Sequence, residues 1–243
     1  MLRWSTDEPR RLGGSIPLLP TIESRPVWLE PFSEAAMASF RRLLSAEETA
    51  RASRRKAGIH RSRYEARRGV LRILLARYTN RQPEEIELVS GKWGKPAMRG
   101  SEIGFNLSHS QGLAVYAFGP KIDLGIDVEL VRGGAYLEQV ARHALSDAET
   151  AGLLALPAGP AREAHFFRCW TRKEAFAKLT GLGLTVTPPS IPWTLHPFEP
   201  APGYVGALAY PPAADKFPVA MLPATSALQI LAAFEGSGGD RCP

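Results

Sequence analysis

The sequence predicts an α+β fold in which one unit is used twice. Two copies of the same helix-opening signal carry that prediction. "LLSAEETA" (residues 43–50) and "ALSDAETA" (144–151) each place a Ser three residues before a Glu, the capping box in which hydroxyl and carboxylate satisfy each other's backbone donors. Each copy follows a strand-like run, "PVWLE" or "LGIDVELV", and precedes a long helical pattern, "YEARRGVLRILLARYT" or "HFFRCWTRKEAFAKLT". The long period with only two copies points to duplication and not to a solenoid, with a seam near residue 124.

In chain order, residues 1–25 mix Pro, Gly and Arg without periodicity and are expected to be a loose extension. The first α+β unit spans 26–124. After its helix come "EIELV", "IGFNLSHS" and "LAVYAF", read as strands. The second unit spans 125–235, and its closing runs "YVGALAY" and "LQILAAF" are likewise read as strands. Residues 236–243 form a flexible tail.

The 243 residues are 44% apolar, enough for a sizeable core. Thirty Lys and Arg against 24 Asp and Glu give a net charge of +6, which suits an anionic partner. Cys169 and Cys242 are too few for a disulfide framework and lack metal-ligand spacing. With no apolar leader core at the amino terminus and no uncharged run of spanning length, the expectation is a cytoplasmic protein without a membrane partner.

Chemistry concentrates at three places. In "LGIDVELV" the side chains alternate, so Asp127 and Glu129 share one strand face while Ile126 and Val128 share the other. A strand with one wet face would read the same way. On the second long helix Phe166, Trp170, Glu174 and Lys178 recur at steps of four, so Glu174 interrupts an apolar stripe. Such a Glu–Lys pair can be an exposed helix pair; facing the strand carboxylates, Glu174 would complete an oxygen site for a hard dication, with Lys173 and Lys178 as flanking phosphate-binding cations. In the third place, "GKWGKPAM" puts Lys92 and Lys95 on a loop, and "IGFNLSHS" ends His109 between Ser108 and Ser110, open to an anion. Between Arg51 and Arg72, nine Lys or Arg residues accompany one acid, Glu65, in two helical stretches broken at Gly58. Most of these are read as a solvated face. No recognition-helix motif or stacking platform accompanies them, so no nucleic-acid partner is expected.

Taken together, "GKP" (94–96), "FNLSHS" (105–110), "GIDVE" (125–129) and "WTRKEAFAKLTGLGL" (170–184) resemble the 4′-phosphopantetheinyl transferase superfamily, in its larger two-repeat type. The resemblance implies two α+β subdomains related by a pseudo-twofold axis, with coenzyme A in the cleft between them. It implies transfer of 4′-phosphopantetheine from coenzyme A to a serine of an acyl or peptidyl carrier protein, releasing adenosine 3′,5′-bisphosphate. Mg²⁺, or Mn²⁺ in its place, is implied on Asp127, Glu129 and Glu174. Glu174 is the implied general base and Lys178 meets the diphosphate. Ser108 and His109 meet the phosphate end of the nucleotide, and Lys95 and Arg63 grip the adenosine portion and its 3′-phosphate. Glu65, Arg67 and Arg68 depart from the family's pattern on this helix, and the alternatives are a rotated basic helix or Arg67 in place of Arg63. The carriers of fatty-acid, polyketide and nonribosomal peptide synthesis present an acidic helix that a basic enzyme suits. A monomer is expected, since two repeats already contain the interface that a single-repeat relative makes by assembling. Two further readings use the same residues: a metal-dependent phosphoesterase with water as nucleophile, and a basic nucleic-acid-binding module.

Overall fold

The computed structural model describes residues 19–30, 32–91, 94–134, 136–181, 183 and 192–238. The chain opens with β1 (Ile22–Trp28), followed by helices α1 (Glu34–Arg42), α2 (Ala46–Ser53) and α3 (Ile59–Thr79). A short hairpin of β2 (Leu88–Ser90) and β3 (Pro96–Met98) leads to β4 (Ile103–Ser110) and β5 (Leu113–Pro120). The second half runs β6 (Gly125–Leu130), α4 (Leu137–Ala144), α5 (Asp147–Ala155), α6 (Pro160–Thr180), β7 (Thr194–Phe198) and β8 (Tyr204–Tyr210). Strands β9 (Val219–Met221) and β10 (Thr225–Ser226) and helix α7 (Ala227–Gly238) close it. This is a mixed α+β architecture.

Both Ser–Glu signals form complete capping boxes, Ser45 with Glu48 at α2 and Ser146 with Glu149 at α5. The repetition goes further. α3 and α6 are each 21 residues long, each enters from a glycine at positive φ (Gly58 at 94°, Gly159 at 127°), and each ends on a left-handed residue, Asn80 or Gly181. The strand pairing also repeats: β1 pairs antiparallel with β5 and β5 with β4, as β6 pairs with β8 and β8 with β7. Then the chain returns to its first sheet, where β9 and β10 lie parallel to β1.

One strand expectation is corrected by this return. "LQILAAF" is part of α7, a helix. Ser226 and Gln229 exchange backbone-to-side-chain hydrogen bonds at its start, and Ala227, Ile230, Leu231 and Phe234 fall at helical spacing onto the α1–α3 core. A continuous apolar run hides that period. "EIELV" likewise divides, a 3₁₀ turn at Pro83–Glu85 preceding β2.

β5 is buried on both faces, with Tyr116 and Phe118 packed toward α3 and Val115 and Ala117 packed against Ile126, Val128 and Leu208 of the second sheet. On the other face of that second sheet lies α6, held close by small residues: Ala207 and Ala209 meet Ala175 and Leu179. Gly125 is required here. A Cβ on it would lie 1.9 Å from the Ala175 carbonyl oxygen, so β6 reaches the α6 backbone only because that atom is missing. Among the described residues, no helix is long and apolar enough to cross a membrane.

Candidate active site

The close approach of β6 and α6 decides which way the strand carboxylates look. Ile126 and Val128 go into the inter-sheet core, so Asp127 and Glu129 turn toward α6 and not to open solvent. Asp127 is 4% exposed. Strand β4 runs parallel beside β6 without a backbone ladder, and its alternate polar residues take the ladder's place. Asn106 Oδ1 accepts from the Ile126 N–H at 3.0 Å, Ser108 Oγ donates to Asp127 Oδ1 at 2.7 Å, and Ser110 Oγ donates to Glu129 Oε2 at 2.7 Å. The Leu130 N–H donates in turn to Ser110 Oγ. Each of these β4 side chains thereby has a partner on β6.

From α6, Lys178 Nζ donates to Asp127 Oδ1 at 2.7 Å and to Ser108 Oγ at 2.9 Å. Asp127 Oδ2, also buried, has no hydrogen-bond partner among the described residues. Burial pushes the Glu174 carboxyl above the usual carboxylate range, and Asp127 adds to that push against the opposing Lys178. Glu129 is raised for the same first reason, with Ser110 opposing and Asp127 reinforcing. Among the described residues, no three His, Cys, Asp or Glu side chains are gathered as a metal centre. Even so, an orphaned carboxylate oxygen beside two carboxyls that resist ionisation is a donor set short of positive charge, and hard oxygen donors of this kind fit a small dication.

These groups line a cavity of about 460 Å³. The same cavity is lined by a basic group, Arg51, Arg55, Arg67 and Arg68, with His109 and Tyr64. Arg67 is 8% exposed and its Nε has no partner. Burial brings its pKa down to about 10, with Arg55 and Arg68 contributing and Tyr116 opposing. A desolvated arginine with an unused donor, among other arginines, is built for an anion. Arg55 lies over the Tyr64 ring, 4.4 Å from its centroid. His109 keeps an edge open to solvent, yet lost hydration and the cations Arg67, Lys178, Arg55 and Arg63 take its pKa down to about 3. Its imidazole is neutral.

Of the residues singled out from sequence, Ser108, His109, Asp127, Glu129, Glu174 and Lys178 line this one cavity. Three others stand outside its wall. Arg63 points away to Glu30, 2.5 Å from Oε1, and Arg67, one helical turn on, faces the cavity. Lys95 reaches the carboxyl end of α6, its Nζ 3.4 Å from Leu179 O and 3.6 Å from Asp123 Oδ1. Lys173 is a third of a turn off the Glu174 stripe and donates to the Ala144 carbonyl at the end of α4. Lys92 lies outside the described residues. The basic run is less of a solvated face than its composition suggests. Arg68 and Arg72 pair with buried Glu48, whose carboxyl burial would raise but which Arg68, the Ser45 N–H and Arg72 hold below its usual range.

Residues 123–207, which contain β6, α6 and most of β8, match the sequence model of the 4′-phosphopantetheinyl transferase superfamily. The 4′-phosphopantetheinyl transferase HetI of Nostoc sp. is 37% identical over 72% of this chain and 76% of its own length. A putative 4′-phosphopantetheinyl transferase of Synechocystis sp., slr0495, is 30% identical over 65% of each. The 4′-phosphopantetheinyl transferase AcpT of Salmonella typhi is 37% identical over 45% of this chain and 56% of its own. The chain belongs to the 4′-phosphopantetheinyl transferase superfamily and is a transferase of that class.

Proposed function

We propose that this enzyme transfers the 4′-phosphopantetheine group of coenzyme A to a serine hydroxyl of an acyl or peptidyl carrier protein and releases adenosine 3′,5′-bisphosphate. The observation that carries the reading is the mixed lining of one cavity, in which three carboxylates and Lys178 are joined by a cluster of arginines that includes the buried Arg67, its Nε without a hydrogen-bond partner. Coenzyme A has two separated phosphate groups to satisfy such a site, a diphosphate and a 3′-phosphate.

In this reading Asp127, Glu129 and Glu174 hold Mg²⁺, or Mn²⁺, with the diphosphate. The bound cation supplies charge neutralisation of the diphosphate and of the leaving phosphate. Lys178 exchanges part of its contact with Asp127 for a diphosphate oxygen, and Ser108 and His109 border the phosphates. Arg67, with Arg55, takes the 3′-phosphate role expected of Arg63. Lys95 and Lys173 support the site from behind, one on the end of α6 and one on the end of α4. Glu174, a carboxylate lining the cavity beside Lys178, is the candidate to accept the proton of the carrier serine as its oxygen attacks the β-phosphorus. Positioning and charge neutralisation then account for most of the rate.

The repeated element order and strand pairing support two α+β units, expected over 26–124 and 125–235, related by a pseudo-twofold axis with the cofactor between them; β1 extends the first back to Ile22, and β9, β10 and α7 cross back to it. A monomer in the cytoplasm, meeting the acidic helix of a carrier from fatty-acid, polyketide or peptide synthesis, fits the net charge of +6. The test is the dependence of adenosine 3′,5′-bisphosphate release on the carrier, followed by chromatography. Release should require the apo carrier. Release at the same rate without any carrier would replace transfer by hydrolysis.

A further inference from the structure

The two carboxylates of β6 are matched one to one by two hydroxyls of β4. Asp127 and Glu129 are two residues apart, and so are Ser108 and Ser110; because both strands alternate with the same period and run parallel, the hydroxyls and carboxylates meet in pairs. The pairs are not equivalent. Ser108 shares Asp127 Oδ1 with Lys178, so Asp127 keeps one donor if either is lost. Glu129 has Ser110 alone among the hydrogen bonds of the described residues, through Oε2 at 2.7 Å. Ser110 is itself fixed, since its Oγ accepts the Leu130 N–H at 3.1 Å, one residue beyond Glu129. Ser110 is 8% exposed, so bulk water does not readily replace that hydroxyl.

We infer that Ser110 is a positioning residue for the reaction: its hydroxyl, oriented by the Leu130 amide, clamps Glu129 Oε2 and leaves Oε1 as the oxygen presented to the divalent cation. This rests on the metal reading given above. Without the clamp the Glu129 side chain regains its rotamers and the cation loses a pre-aimed ligand. Partners one shell out from a metal typically change affinity by about 10- to 100-fold when removed.

The experiment measures binding of Mn²⁺ by electron paramagnetic resonance, without coenzyme A, to the wild-type protein and to Ser110→Ala, Ser110→Cys and Ser110→Thr. Ser110→Ala should weaken Mn²⁺ by about tenfold or more. Ser110→Cys keeps the volume but supplies a poor donor and should weaken it similarly, which serves if the alanine variant does not fold. Ser110→Thr retains the hydroxyl and should restore near wild-type affinity. In a Glu129→Gln background, Ser110→Ala should add little, since the two act through one ligand. Wild-type affinity in both Ser110→Ala and Ser110→Cys, or equal losses with and without Glu129, would overturn the role of Ser110 while leaving the metal reading intact. Failure of the wild-type protein itself to bind Mn²⁺ or Mg²⁺ would overturn the metal reading and this inference with it.

Discussion

Lys178 Nζ and Asp127 Oδ1 lie 2.7 Å apart, and this ion pair ties α6 to β6 across the bottom of the cavity. Asp127 is 4% exposed, so losing the ammonium leaves a buried charge served by one serine hydroxyl. Lys178→Met should destabilise the fold by about 2 kcal/mol, less than a fully buried pair costs because Lys178 is 28% exposed. Adding Asp127→Asn should recover most of that loss by removing the uncompensated charge. Urea unfolding of the single and double variants measures both. A double variant no more stable than the single one would mean that Asp127 is not held by Lys178.

Arg67 and Arg63 should separate cleanly in cofactor kinetics. Both have a buried Nε without a hydrogen-bond partner, but Arg67 lines the cavity, whereas Arg63 is paired with Glu30. Arg67→Ala should raise the coenzyme A requirement about 10- to 100-fold, the worth of a charge-assisted contact, and should matter little for coenzyme A lacking its 3′-phosphate. Arg63→Ala should affect the two cofactors alike. The opposite pattern would return the 3′-phosphate to Arg63.

His109 gives a pH dependence of definite sign. Its pKa in the fold, about 3, lies below the ordinary 6.5, so the unfolded chain binds this proton more readily than the folded one. The contribution is therefore favourable above about pH 6.5 and is lost as pH falls toward 3. His109→Asn should flatten that part of the stability curve. Coenzyme A should draw the pKa upward by offsetting Arg67 and Lys178, and an NMR titration of the imidazole reads it directly. No upward movement on saturation would place the 3′-phosphate away from His109.

Gly125→Ala should cost about 3 kcal/mol or more, because the added carbon meets the Ala175 backbone and not a side chain that can turn. Gly119→Ala is the control: its nearest neighbour is the Ile22 side chain at 3.4 Å, and the change should stay within about 1 kcal/mol. Thermal unfolding compares them. Equal stability of the two variants would show that β6 and α6 do not need this contact.

The parts of the fold that sequence made legible are those with local signals. Ser45 and Ser146 mark their helix starts, and the periods of "FNLSHS" and "GIDVE" give both strands and the shared face of Asp127 and Glu129. What stayed hidden depends on distant partners. Arg72 is buried because Glu48, 24 residues earlier, receives it, and nothing near Arg72 announces that. That Arg67 and not Arg63 lines the cavity is obscured for the same reason, since Glu65, Arg67 and Arg72 break the apolar stripe of α3 while being buried themselves. Ser110 could have been found: its two-residue spacing from Ser108 mirrors that of the carboxylates. β7, with His196 and Pro197 inside it, carries too weak an alternation to stand out.

The most direct test of the central claim, that the cavity holds coenzyme A and a dication for transfer to a carrier serine, is intact-protein mass spectrometry of an apo carrier after incubation with the enzyme, coenzyme A and Mg²⁺. The carrier should gain one phosphopantetheine, and the gain should vanish with Asp127→Asn enzyme, with chelator, or with the carrier serine changed to alanine. Carriers of all three classes left unmodified by folded wild-type enzyme, or full modification by the Asp127→Asn enzyme, would contradict it.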